Sequence, residues 1–178
     1  ISFLPALAYW YLEVNYDLTI ALIGGILLSV VEITLEKLIT KHVHNLSKVN
    51  FFLIAALGGI SLMAGEGIWF KLQPFFNGLI MGGIFLYSSL RGKSYFYEIM
   101  VETQKVLPPQ QLIINMEKHL AVFMIIYGSF MAFVAIKFTT DQWVFYKTIG
   151  LYIAFAFFMV FEVIILRRQM RLLYQNKM

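Results

Sequence analysis

The chain has 178 residues and carries 14 Lys and Arg against 10 Asp and Glu, giving a formal net charge of +4. It is 60% hydrophobic and 13% charged, with no cysteine, whereas soluble domains are about 45–50% apolar and about 25% charged. This composition excludes an ordinary soluble domain, because a soluble core of this size could not hide so much apolar surface. It also excludes disulfides, thiol catalysis and Cys-ligated metals.

Six apolar stretches follow one another along the chain, at residues 1–12, 18–33, 49–64, 74–90, 119–136 and 148–166. A membrane span needs about 20 mostly apolar residues. The last three stretches approach or reach that length, and the second reaches it if the helix continues to residue 39. The third stretch is short. The first is the weakest, with Pro5 near its start.

Only helices and closed barrels satisfy the backbone in hydrocarbon, and these stretches are apolar throughout instead of alternating as barrel strands do. The predicted fold class is therefore all-α, a polytopic transmembrane helical bundle forming a single domain over residues 1–178. We expect six spans. Five spans, with an interfacial or re-entrant first segment, is the alternative. Because the chain starts at Ile1, we expect a short N-terminal piece to precede it, and we expect no cleavable signal.

Eleven of the 14 basic residues fall in the second connection, the fourth connection and the C-terminal tail. The remaining connections hold Lys71, Lys137 and Lys147. The positive-inside rule then predicts a cytoplasmic C-terminus, and both termini in the cytoplasm if there are six spans. Trp10, Trp69 and Trp143 all fall on the sparsely charged side at segment ends, which predicts an interfacial aromatic belt.

The longest connection, residues 91–117, is predicted to be a cytoplasmic interfacial segment. Residues 94–106 mix apolar and charged side chains in a way that suits a short helix lying on the membrane surface. Leu107, Pro108 and Pro109 are expected to end this helix, since proline cannot continue one. Asn115 is expected to cap the next helix.

Glu32 and Glu162 form the candidate polar site, because each is a carboxylate near the cytoplasmic end of an apolar span. Ionisable groups inside a membrane are costly and indicate function by default. The alternative is a structural role near the interface, where long side chains reach toward water. In that case Glu162 is expected to reach Arg168 or Lys41.

Glu66, Lys71 and Asn77 are candidate contacts for a lipid head group, since they cluster with Gln73 around the external end of the third and fourth segments. An ordinary solvated turn is the alternative. No metal site is predicted. His42 and His44 are two residues apart, a spacing that does not place them on one helix face.

The chain resembles the bacterial intracellular septation protein A family, also called inner membrane-spanning proteins, over almost its full length. The landmarks are the sequences Phe3-Leu4-Pro5, Trp69-Phe70-Lys71 with Pro74, Leu107-Pro108, and Trp143-Val144-Phe145-Tyr146-Lys147 with Gly150. The final block is similar to the family pattern W-x-x-F-K-x-x-G, with Tyr146 in place of Phe. The chain departs from the family early in the fifth segment, where His119 and Leu120 stand in the region of a family Trp, and near Met131, where the family has Asn.

The resemblance implies a protein of the cytoplasmic membrane that helps to maintain the cell envelope, with links to septation and to the machinery of cell-wall synthesis. It implies no catalytic residues. We therefore expect a non-enzymatic protein without cofactor that contacts other membrane proteins of cell-wall synthesis or division, and that can form homo-oligomers.

Two other functional classes remain open. A small transporter, channel or lipid-handling protein would use a polar site at Glu32 or Glu162, and its glycine pairs would loosen the helices. A membrane-embedded enzyme would need several polar groups in one pocket, but the usual catalytic and nucleotide-binding motifs are missing. Nucleic acid is not an expected partner, because the basic residues flank spans and form no separate basic domain.

Overall fold

The computed structural model describes residues 4–41, 43, 45–103 and 108–175. Within these residues the chain forms helices and no strand, which confirms the all-α prediction. The helices are α1 (Leu4–Asn15), α2 (Leu18–Thr40), α3 (Asn45–Ala64), α4 (Ile68–Lys71), α5 (Gln73–Leu90), α6 (Tyr95–Thr103), α7 (Gln110–Lys137), α8 (Thr140–Phe145) and α9 (Leu151–Gln175), with a π-helical turn at Tyr146–Gly150 between α8 and α9. His42, His44 and Leu107, named in the sequence predictions, lie outside the described residues.

Each of the six apolar stretches forms a helix. Four segments of the described chain are long and apolar enough to cross a membrane: Leu18–Thr40, Ser47–Ala64, Gln110–Lys137 and Thr140–Arg171. The second helix does continue through residue 39, as a span requires. By contrast, the 12 described residues of α1 extend only about 18 Å at 1.5 Å per residue, short of a hydrocarbon core of about 30 Å. The number of spans stays a prediction.

The helix predicted on the membrane surface is present as α6, and glycine at positive φ marks the turn before it. Gly92, with φ of +71°, lies just after the end of α5, where a left-handed backbone favours glycine. The prediction that Asn115 caps the fifth helix is wrong. Helix α7 begins at Gln110, so Asn115 lies inside it and accepts a hydrogen bond from the Gln111 side chain at 3.3 Å.

The chain divides into two compact units, which are described separately: residues 1–77 with 128–149, and residues 78–127 with 150–178. In the first unit, α1 packs against α2 and α8, α2 packs against α3, and α3 packs against α4. Fully buried aromatic side chains hold these elements together. The Tyr9 ring stacks on Phe70 at 4.6 Å and meets Trp143 edge-on at 6.1 Å.

Trp143 is therefore not part of an interfacial belt, contrary to the sequence prediction. Its ring is fully buried, and its indole Nε1 donates a hydrogen bond to the Lys71 carbonyl oxygen at 2.9 Å. Trp69 is partly exposed, and Trp10 donates to the Asp141 carboxylate. A Trp side chain has an apolar ring system and one N–H donor. It is therefore stable in a buried site as well as at a membrane interface, provided that the N–H group has a hydrogen-bond acceptor.

In the second unit, α7 contacts α5, α6 and α9. Against α9, Phe123 stacks on Phe158 at 4.9 Å and lies 6.0 Å from Phe155. Against α5 the approach is closer. A Cβ atom added at Gly82 would lie 2.8 Å from the Ala121 carbonyl oxygen and 2.7 Å from Ile125 Cγ1. Glycine at this position allows the two helix backbones to approach each other, as small residues do in membrane bundles.

Two adjacent glycines on α5 give a matched prediction. Replacing Gly82 with alanine is expected to destabilise the protein by about 1–3 kcal/mol, because the added methyl group overpacks the contact with α7. Replacing Gly83 with alanine is expected to be neutral or slightly stabilising, because nothing lies within 4 Å of the added Cβ atom and alanine favours helix. Thermal unfolding of the two variants in the same detergent checks this. Equal loss of stability in both would contradict the close α5–α7 contact.

Candidate functional site

The most deeply buried lysine of the described chain, Lys147, is the centre of a polar cluster in the first unit. It lies in the π-helical turn, inside the candidate span Thr140–Arg171, and is 8% exposed. Its Nζ donates to Gln73 Oε1 at 2.6 Å, and Gln73 Nε2 donates in turn to Asn50 Oδ1. Three chain segments, α3, α5 and the π turn, therefore meet through one chain of side-chain hydrogen bonds.

An aromatic ring also stabilises the positive charge of Lys147. The Trp143 ring lies 4.9 Å from the Lys147 Nζ atom, a cation–π contact between residues one turn apart. The predicted site residue Glu32 lies on α2 of the same unit and is half-buried.

A second basic group of the first unit lies at Lys71. Its ammonium contacts Glu13 Oε1 at 3.3 Å and donates to Thr140 Oγ1 at 2.6 Å. Tyr9 donates to the same Glu13 oxygen at 3.0 Å. These contacts tie α4 to α1 and α8. The N-terminus of α8 is further fixed by a capping box between Thr139 and Gln142.

The three candidate head-group residues have different environments. Lys71 is mostly buried in the ion pair with Glu13, Glu66 is exposed just after α3, and Asn77 is half-buried on α5. Only Glu66 is exposed in the manner of a solvated turn residue. Head-group binding by these residues stays a prediction.

In the second unit, the Glu117 carboxylate caps helix α6. It is fully buried and accepts hydrogen bonds from Ser94 Oγ, from the Tyr95 backbone N–H at 3.2 Å and from the Phe96 backbone N–H at 3.3 Å. A negative group at the first turn of a helix satisfies N–H groups that have no intrahelical partner and complements the helix dipole. Glu117 therefore fixes α6 to α7.

The other predicted site residue, Glu162, is also buried, at 2% exposure. Its Oε2 atom pairs with His119 Nδ1 on α7 at 2.8 Å. Neither Arg168 nor Lys41, the partners expected from the sequence, forms this contact. The Oε1 atom of Glu162 is buried and has no hydrogen-bond partner among the described residues.

The sequence singled out Glu32 and Glu162, but it missed His119 as the partner of Glu162 and it missed the buried position of Lys147. Lys147 was assigned to a connection, whereas it lies within a helix that begins at Thr140. The Thr139-x-x-Gln142 spacing is a capping-box signature and could have placed that helix start. Glu117 was placed in the connection before the fifth helix, although it lies inside α7.

Chemically, these groups can hold charge, pair ions and fix helices to one another. Within the described ranges, no group of three or more His, Asp or Glu side chains is arranged to hold a metal ion.

The model of one family, intracellular septation protein A, matches residues 1–172 of this chain. The chain belongs to the intracellular septation protein A family. Its curated relatives include proteins named inner membrane-spanning protein YciB from Rickettsia akari and Rickettsia felis, each 29% identical over 151 residues, which cover 84% of this chain and 78% of the relative. A third, from Rickettsia massiliae, is 29% identical over 150 residues. No solved structure matches the chain significantly.

Membership of this family agrees with the helices described above. The relatives are named as inner membrane-spanning proteins, and the chain has several helices of membrane-spanning length and hydropathy. The protein is therefore a multi-pass protein of the inner membrane. The Trp143 and Lys147 positions, which carry the family resemblance in the sequence, are buried neighbours in the structure.

Proposed function

We propose that this protein supports cell envelope maintenance and septation through contacts with other membrane proteins, those of cell-wall synthesis or division, and that it is not an enzyme. The observation that carries the proposal is the open lateral surface of α9. The candidate span Thr140–Arg171 has the highest hydropathy of the four, and only 6% of its apolar window is buried.

Large apolar side chains recur on one face of this helix. Phe157, Val160, Phe161 and Ile164 follow the i, i+3, i+4, i+7 spacing of a single helical stripe, and all four are exposed. Such a stripe is able to pack against lipid or against a helix of another protein. In the described polar clusters, by contrast, Glu117 and Lys147 are occupied in joining helices of this chain, which supports a structural role for these two groups over catalysis.

The family description supplies the process: it is the septation protein family. The orientation is part of the same proposal. Because Lys and Arg are concentrated in the second and fourth connections and in the C-terminal tail, we place the C-terminus in the cytoplasm.

Affinity purification from native membranes in mild detergent, followed by mass spectrometry, tests the proposed contacts. We expect recurrent proteins of cell-wall synthesis or division with the wild-type chain, and their loss from the double variant Phe157→Ser/Phe161→Ser. A Met63→Ser variant, which changes an exposed apolar residue of α3, is the control and should retain them. Recovery of this chain alone, as single copies or as a homo-oligomer, would contradict the proposal.

A second candidate function, a small transporter, channel or lipid-handling protein, is favoured by one observation. Glu162, a carboxylate of a membrane-span helix, lies beside His119, which can exchange protons, and Glu32 is half-buried on another such helix. Intramembrane ionisable groups of this kind often mark substrate or ion pathways.

A further inference from the structure

Glu162 presents an acceptor that no described residue of the chain satisfies. It is the sole Asp, Glu, Lys, Arg or His between Leu151 and Leu166 of α9. One carboxylate oxygen is paired with His119, while the other, Oε1, is buried and has no hydrogen-bond partner in the part of the chain that the structure describes. Buried polar atoms in folded proteins nearly always have a partner, because an unmade hydrogen bond to a buried charged group is costly. We therefore expect a donor from outside the chain.

The surroundings of the pair strengthen the attraction for a donor of opposite charge. Phe158 lies one turn before Glu162 on α9, and Phe123 lies one turn after His119 on α7, so each ring shares a helix face with the pair. The two rings stack on each other, with Phe155 alongside. This cluster of aromatic rings excludes water and lowers the local dielectric constant, which makes a charge–charge contact at Glu162 stronger.

The His119 side chain is 37% exposed, so the imidazole connects the buried carboxylate to the protein surface. The Oε1 atom itself is covered, so a donor reaches it only when the side chains around it move.

Glu162 Oε1 is an acceptor, so a ligand that binds it must donate a hydrogen bond. A protonated primary amine has three N–H donors together with a positive charge.

We propose that Glu162, held by His119, is a binding site for a protonated primary amine, presented by an aminophospholipid head group or by a free amine. The inference does not depend on the proposed contacts with other membrane proteins. It gives Glu162 a ligand of defined chemistry, and it makes His119 a positioning residue that fixes the second carboxylate oxygen.

Native mass spectrometry of the purified full-length chain in nonionic detergent tests this site. Phosphatidylethanolamine is titrated against phosphatidylcholine with the same acyl chains, because a quaternary ammonium has no N–H to donate. We expect phosphatidylethanolamine to bind the wild-type chain about tenfold or more tightly than phosphatidylcholine, the factor that corresponds to one charge-assisted hydrogen bond.

The matched variants are Glu162→Gln, which removes the charge with little change of size, and Glu98→Gln, which makes the same change at an exposed position of α6. Glu162→Gln should lose the preference for phosphatidylethanolamine and Glu98→Gln should keep it. If Glu162→Gln does not yield folded protein, the wild-type comparison of the two lipids decides alone.

Ethanolamine added to the titration identifies the source of the amine. Displacement of phosphatidylethanolamine by ethanolamine at similar concentration supports a site for a soluble amine, and binding of the phospholipid alone supports a head-group site. Equal binding of both phospholipids by the wild-type chain, or an unchanged preference in Glu162→Gln, would overturn the proposal.

Discussion

Replacing Lys147 with methionine is expected to lower the free energy of unfolding by about 2–4 kcal/mol. Methionine has nearly the length of lysine but neither charge nor N–H donor, so the change leaves the buried Gln73 carbonyl oxygen without its donor and removes the cation–π contact with Trp143. Removing one partner of a buried hydrogen bond costs more than the bond itself contributes, because the remaining group stays buried and unsatisfied. Equilibrium unfolding in mixed micelles, followed by circular dichroism, measures the loss.

Lys137 provides the control, since it is an exposed lysine at the end of α7. Lys137→Met should stay within about 0.5 kcal/mol of wild type, as surface substitutions usually do. The double variant Gln73→Leu/Lys147→Met should lose less stability than the two single variants combined, because both partners of the 2.6 Å hydrogen bond are then gone. If the Lys147→Met variant has the same free energy of unfolding as the Lys137→Met variant, the polar cluster does not hold these helices together.

Replacing Glu117 with alanine is expected to cost about 2–3 kcal/mol and to release the first turn of α6. The carboxylate accepts three hydrogen bonds, from Ser94 Oγ and from two backbone N–H groups, and all three donors lose their acceptor in the variant. Hydrogen exchange measured by mass spectrometry should speed up within residues 95–103, since α6 is fixed to α7 through this side chain.

Substitutions that remove one or both carboxylate oxygens of Glu117 distinguish loss of the α6 cap from a general loss of stability. Glu117→Gln retains one acceptor oxygen, so its loss should fall between those of wild type and Glu117→Ala. Glu66→Ala changes an exposed glutamate and should leave exchange in α6 unaltered. Unchanged exchange of α6 in Glu117→Ala would refute the capping role.

Hydropathy was sufficient to predict a helix in each of the six apolar stretches, because lipid selects apolar segments whatever their neighbours are, but it did not predict the short helices α4 and α8. It also identified Glu32 and Glu162, since a carboxylate in an apolar run stands out from its surroundings. Hydropathy fails at the ends of segments, because polar residues at the start of a helix are assigned to the preceding loop. Residues 137–147 contain two lysines, two threonines and an aspartate, yet the helix starts at Thr140 and carries Lys147 into the interior.

The partners of the buried charges depend on tertiary structure and could not be read from the sequence. His119 and Glu162 are 43 residues apart, and Lys147 and Gln73 are 74 apart. No spacing rule within one helix relates such pairs. Trp143 was misplaced for the same reason: an indole near a segment end fits the membrane interface unless a buried acceptor, here the Lys71 carbonyl, lies within reach of its N–H group.

The most direct test of the proposed action through lateral contacts is photo-crosslinking from α9 in living cells. A photoreactive phenylalanine analogue is placed at Phe157, which is 73% exposed, and separately at the adjacent Phe158, which packs on Phe123. We predict that position 157 forms a recurrent adduct with a membrane protein of cell-wall synthesis or division, and that position 158 does not. Adducts with lipid alone at position 157 would contradict this account of how the protein works.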